Sequence, residues 1–144
     1  MLDTDDRSHI EVIHSDECLA LLRGAQVGRF AFVDGAGSAD VLPVNFVLDG
    51  DAVVFATAPG SKLRAAEGGA VAFEADAVDV ETRSGWSVVI HGHGHEVTAC
   101  DAPELLARLR TLPLNPWARG EHTHLVRITP RTVTGRRIRP RATT

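Results

Sequence analysis

The chain reads as mainly β, a closed antiparallel barrel with small helices at its rim. Three observations point there. Six or seven stretches rich in β-branched and aromatic residues follow one another along the 144 residues. Most are joined by turn sequences rather than by long helices. The strand–helix alternation that builds a parallel sheet is absent. A row of antiparallel strands of this number protects its edges best by closing on itself.

The elements follow in order. Residues 1–13 read as a flexible lead-in ending in a short extended piece, His9 to Ile13. Residues 14–138 form one folded domain, and residues 139–144 a loose tail. Ser15 is placed as the N-cap of a helix, with Asp16 and Glu17 in its first turn and Gly24 at its end. Cys18, Leu19, Leu22 and Ala25 recur on one face of it. Val27 to Val33 is a strand, and residues 34 to 40 are a turn. Val41 to Leu48 is the next strand. Pro43 inside it cannot donate a ladder bond, so the strand is an edge there or lies beside something other than a strand. Asp49-Gly50 signals a hairpin of the type I′ kind, and Val53 to Thr57 returns. A short helical run follows the Pro59-Gly60 turn.

Val71, Phe73 and Ala75 alternate as a half-buried strand, and residues 76 to 84 read as an acidic loop. Gly85 to Val97 is the longest strand candidate. Asp101 and Glu104 resemble a capping box before a helix with Leu105, Leu106 and Leu109 on one stripe. Residues 111 to 121 are too rich in Pro and Gly to be regular. Thr123 to Ile128 and Thr132 to Ile138 are two last strands, broken at Pro130.

Composition narrows the function. The formal net charge of −4 argues against non-specific nucleic-acid binding. No apolar run approaches the ~20 residues of a membrane span, and the acidic start is no signal peptide. Cys18 and Cys100 have no metal or redox spacing, so free thiols in a reducing, cytoplasmic setting are the default, with a single disulfide left open.

The most informative local stretch is Val53 to Ala66. An apolar strand empties into Pro59-Gly60, and Ser61 and Lys62 open a helical run. Lys62 is the only lysine in the chain. A strand feeding a glycine turn into a helix start aims free N–H groups at one spot and favours an anion there. Thr57 and Ser61 add hydroxyl donors and Lys62 a full charge. The plainer alternative is a capped helix with an exposed lysine.

PVNF at 43–46, DGD at 49–51, VFATAPGSKL at 54–63, VAFEAD at 71–76, GWSVVIHG at 85–92, PWARG at 116–120 and HLVRITPRTVTGRRI at 124–138 occur in order. Together they resemble the pyridoxamine 5′-phosphate oxidase-like split-barrel flavin-binding proteins, in the short actinobacterial-type branch related to nitroimidazole-resistance proteins. The resemblance covers residues 10 to 138 and implies a six-stranded, Greek-key split barrel. It also implies a homodimer with one flavin in each of two clefts between subunits. It places the flavin phosphate on Thr57, Ser61 and Lys62. Pro43, Val44 and Asn45 would supply backbone and amide contacts to the ring. Trp86 and Ser87 would line the cleft, with Trp117 reaching over from the partner subunit. The cofactor implied is FMN, with the deazaflavin F420 or haem as alternatives, and the substrate a small molecule. The chain is short for a true pyridoxamine-phosphate oxidase and lacks extra arginine-rich segments, so that reaction is not assigned.

The HGHGH run departs from the family pattern. His91, His93 and His95 alternate, so they share one strand face, with neighbours about 6.6 Å apart. His122 and His124 repeat the spacing. Either they form a metal-chelating set or a solvated face; the solvated face is preferred and no metal is assigned. Trp86, Val88 and Ile90 alternate as a core face would. The cluster Arg136, Arg137, Arg139 and Arg141 either contacts an anion or ends a strand in solvent. Ser84, Ser87 and the histidines form no nucleophilic triad. No acid–base residue is named. The resulting function is a flavin-dependent oxidoreductase, against which stand a non-catalytic cofactor-binding module and an F420-dependent reductase.

Overall fold

The computed structural model describes residues 10–58, 69–116 and 124–140. Its elements are β1 (Ile10–Ile13), α1 (Ser15–Arg23), β2 (Val27–Val33), β3 (Ala39–Asp49), β4 (Ala52–Thr57), β5 (Ala70–Asp79), β6 (Ser84–Val97), α2 (Pro103–Leu109) and β7 (His124–Ile138). Every strand pairing is antiparallel. The sheet runs β7-β4-β3-β2-β5-β6, and the β6–β7 ladder closes it into a six-stranded barrel. β1 extends the free edge of β7, with Ile10 opposite Ile138. The barrel and its small helices agree with the fold read from the sequence. The short helix expected after Pro59-Gly60 lies outside the described residues.

Alternation decides what the barrel encloses. Phe30, Phe55, Phe73, Ile90 and Ile128 are fully buried inside it. The rings of Phe30 and Phe55 lie 5.0 Å apart and those of Phe46 and Phe73 4.7 Å. Aromatic pairs at this spacing add to the area they bury. β4 is buried on both faces. Val53 and Phe55 point into the barrel, while Val54 packs outward with Leu106 and Leu109 of α2 and Leu125 of β7. The unbroken apolar run AVVFA follows from that double coverage. α1 closes the barrel near β7, inserting Cys18 and Leu22 into the core. Burial pushes the Cys18 thiol up, and its Sγ donates to the Ile13 carbonyl at 3.5 Å. Cys18 and the exposed Cys100 are both free.

Several sequence readings are corrected. His14, not Ser15, holds the N-cap position of α1, with no side-chain cap; Ser15 is the first helical residue. Ala102 precedes α2, and Pro103 opens it where a missing N–H costs nothing. Asp101 makes no capping box. It pairs with Thr98, whose hydroxyl donates to its Oδ2 at 3.1 Å and accepts from its N–H at 3.2 Å. The Asp49-Gly50 hairpin forms, but Gly50 alone has positive φ (61°), which is the II′ and not the I′ pattern. Residues 76 to 79 are not loop. β5 continues to Asp79 because Asp76, Ala77 and Val78 pair with Ser87, Trp86 and Gly85, and the ladder outweighs the low strand propensity of Asp. Finally, β7 is one strand, not two. Pro130 pairs with Gly92 and Thr132 with His91, so Arg131 is an extra residue in a bulge that accommodates the proline.

The two glycines of HGHGH face inward, and their roles differ. A Cβ at Gly92 would collide with the Thr129 carbonyl, where β7 bulges toward β6. A Cβ at Gly94 would meet Val71 at an ordinary 3.6 Å. Gly92→Ala should therefore cost about 3 kcal/mol in urea unfolding, while Gly94→Ala should stay within about 0.5 kcal/mol or stabilise. Equal effects would contradict the close approach at the bulge.

Candidate functional site

β3 changes partner in its middle. Ala39 to Asn45 pair with β2, and Phe46 to Asp49 pair with β4. The β2 ladder starts from a hydrogen bond of Asp34 N–H to the Ser38 carbonyl at 2.9 Å. Counting alternate pairs from there places Pro43 opposite Arg29 in a non-hydrogen-bonded pair. The missing N–H of Pro43 therefore faces away from β2, onto an edge that no strand covers among the described residues. This is the edge position that the proline implied, and it forfeits no ladder bond.

A cleft of about 570 Å³ opens where the partners change. Asn45, Gln26, Arg23 and Asn115 supply its polar groups, and Leu22, Phe46 and Leu48 line it with apolar ones. The Gln26 carbonyl accepts both the Asn45 side-chain amide at 3.2 Å and the Phe46 N–H at 3.3 Å. These two hydrogen bonds fix the turn from α1 into β2 against the partner switch in β3. Among the described residues that line the cleft, Arg23 is the only ionisable one. The size lies within the usual range of small-molecule pockets, as does the mix of apolar wall and few polar groups.

At the hairpin beside the cleft, Asp49 is held by two arginines. Arg108 of α2 forks onto both of its carboxylate oxygens, and Arg127 Nε donates to Oδ2 at 3.1 Å. The Arg108 hydrogen bond, foremost, holds the Asp49 carboxyl below the usual range. The pair ties α2 and β7 to the β3–β4 turn.

The predicted site residues do not all meet. Asn45 lines the cleft, and Val44 packs its side chain on the core, leaving its backbone for any contact. Pro43 is exposed on the open edge. Thr57 ends β4 opposite His124, whose Nδ1 pairs with Glu96. Trp86 and Ser87 line a separate cavity near the tip of the β5–β6 hairpin, and Trp86 also packs on the core. Ser61, Lys62 and Trp117 lie outside the described residues, as does His122. His91, His93 and His95 are exposed on one outer face, as their spacing implied. Among the described residues no three His, Cys, Asp or Glu side chains are grouped to hold a metal. No described helix is long and apolar enough to cross a membrane.

The sequence reading missed Gln26, Arg23 and the Glu96–His124 pair. Gln26 sits in an unremarkable helix-to-strand link, and its carbonyl, not its side chain, makes the bonds. Glu96 and His124 are far apart in sequence and meet only through the β6–β7 ladder. A further cluster lies on the outer face, where Arg29 Nη1 is 3.5 Å from Glu74 and 3.4 Å from Asp76. Burial, then the adjacent Asp76, push the Glu74 carboxyl up to about 7 against the pull of Arg29. A carboxyl raised on folding contributes stability that is complete below its usual pKa of 4.5 and is lost as pH climbs toward 7. Glu74→Gln should raise the melting temperature by about 2 °C at pH 8 and leave it unchanged at pH 4. The same shift at both pH values would contradict the raised carboxyl.

A closed six-stranded antiparallel barrel, split where β3 changes partners, defines a split-barrel protein. A family model described as pyridoxamine 5′-phosphate oxidase matches residues 14–137. The chain belongs to the pyridoxamine 5′-phosphate oxidase-like family. An uncharacterised protein of Mycobacterium tuberculosis is 37% identical over 129 residues, 85% of this chain and 82% of that protein. An FAD-binding protein of Mycobacterium smegmatis superposes with TM-score 0.67 at 34% identity, covering 91% of this chain and 100% of that one. A candidate pyridoxamine 5′-phosphate oxidase of Corynebacterium glutamicum superposes with TM-score 0.78 at 31% identity, covering 93% and 96%.

Proposed function

We propose that this protein binds a flavin nucleotide along the open edge of β3 and uses it to oxidise or reduce a small molecule. The observation that carries the reading is the uncovered edge beside the Asn45 cleft. It offers a row of backbone groups and an amide next to an apolar wall, which suits the polar margin and flat body of a flavin ring. The FAD-binding relative at 34% identity supports a flavin over haem. The recognised part is the ring, ribityl chain and first phosphate, which FMN, FAD and F420 share in outline. FMN is the expected cofactor, with FAD and F420 as the arms to compare.

Asn45 and the Pro43–Val44 backbone would orient the ring, and Thr57, Ser61 and Lys62 would hold the phosphate. A bound flavin supplies the hydride or electron transfer; the chain's residues bind it, orient it and exclude water. The reading includes a homodimer in a cytoplasmic setting. Within one chain Asn45 and Trp86 line different cavities, so Trp86, Ser87 and Trp117 would complete the cleft from the partner copy.

Flavin-fluorescence titration tests the site. Asn45→Ala should weaken FMN binding about tenfold, and Lys62→Ala by tenfold or more. Unchanged affinity would remove the substituted residue from the site. A second reading is a cofactor-binding module without turnover. It is favoured by Arg23 being the only ionisable side chain among the described residues that line the cleft. Steady NAD(P)H consumption by the flavin-loaded protein would decide for the oxidoreductase, and none with any electron acceptor would decide for the module.

A further inference from the structure

The split between β3 and β4 has a second rim. Phe46 opposite Phe55 is the last pair that the two strands share. Beyond it, Ala56 and Thr57 stay on β7, opposite Leu125 and His124. Among the described residues no strand covers the other edge of β4 there, so that edge looks across the split to the open edge of β3. Thr57 and His124 are therefore a cross-strand pair at the rim of the split.

Alternation decides which side chains meet there. Val53 and Phe55 of β4, Val126 and Ile128 of β7 and Ile90 of β6 point into the core. Thr57, His124 and Glu96 keep the same phase on those strands, so all three share the inner face at this end of the barrel. Glu96 lies opposite Val126, two residues from His124, and its carboxylate pairs with His124 Nδ1. Directly opposite side chains stand about 5 Å apart at Cβ, so the ring is held beside the Thr57 hydroxyl with Nε2 as its remaining polar atom. The His124 and Glu96 side chains are 30% and 25% exposed, which leaves the corner open to a ligand but partly shielded from water. His95 and Arg127, the next charged residues along these strands, pair in register on the outer face.

We infer that His124, oriented by Glu96, holds a phosphate monoester together with Thr57, and that the phosphate is the flavin's. The source of the phosphate rests on the proposed function; the corner itself rests on the three strands that build it. The bond needs one proton between Nε2 and a phosphate oxygen. An imidazolium donates it to the dianion, or a phosphate monoanion donates it to the neutral ring. Glu96 is itself an anion, but it bonds the other ring nitrogen, so the imidazole lies between the two negative groups. A carboxylate in that position fixes the orientation of the ring, as it does for histidines that hold metals. The contact gives the site a means of preferring a phosphorylated flavin over the same ring without a phosphate.

Fluorescence titration of the full chain with FMN and with riboflavin tests the assignment. FMN is expected to bind at least about tenfold tighter than riboflavin. His124→Gln should weaken FMN about fivefold or more and leave riboflavin unchanged. Glu96→Gln keeps a hydrogen-bonding group at Nδ1 and should cost FMN only about twofold, again sparing riboflavin. An equal loss of both flavins in His124→Gln, or no loss of either, would overturn the assignment. Nitrogen-15 NMR of the imidazoles with inorganic phosphate alone separates this corner from the flavin reading. Phosphate should move the Nε2 resonance of His124 and leave those of His91 and His93 in place. No movement at His124 would overturn the phosphate site. Movement in a chain that binds neither flavin would remove the flavin reading and leave the phosphate site standing.

Discussion

The rest of this structure depends on one strand that serves two ladders in turn. β3 pairs with β2 as far as Asn45 and with β4 from Phe46 onward. If it paired with both throughout, the barrel would be uniformly laced, and no backbone edge would face a ligand. Pro43 sits where the ladder to β2 requires no donor, so it enforces an open edge without weakening the sheet. The Gln26 carbonyl, accepting from both Asn45 and Phe46, fixes the switch point. The cleft is thus a product of strand pairing rather than of loops added to a closed barrel.

Charge is distributed to brace this arrangement. Asp49 takes Arg108 from outside the barrel and Arg127 from β7, at the turn that follows the switch. Arg137 and Arg139 hold Glu17 of α1 and Glu11 of β1 at 2.8 Å and 2.7 Å. Exposed pairs of this kind contribute little individually to stability, but they set where α1, α2 and β1 lie on the barrel.

Much of the fold was legible because it rests on period-two patterning. Phe30, Phe73, Val88 and Ile90 mark inward faces, and the AVVFA run marks the strand covered on both sides. Pro43 was legible as an edge. What failed depended on partners distant in sequence. Asp76 and Asp79 look like loop residues until β6 is placed beside them, and Pro130 looks like a break until a bulge absorbs it. The caps failed for a local reason: the backbone began each helix one residue away from the side chain best suited to cap it. Of the site, Asn45 was readable through PVNF. Gln26 was not, because a backbone carbonyl leaves no trace in the residue's identity, and the Glu96–His124 pair exists only through the ladder between β6 and β7.

The central claim is that the open edge of β3 receives a flavin. The most direct measurement is the absorption spectrum of the untagged protein after mixing with FMN, FAD, F420 or haemin in turn and removing the excess. A band near ~450 nm retained with FMN or FAD, or near ~420 nm with F420, is expected at one cofactor per chain. A Soret band alone, or no retained chromophore from any of the four, would contradict the claim.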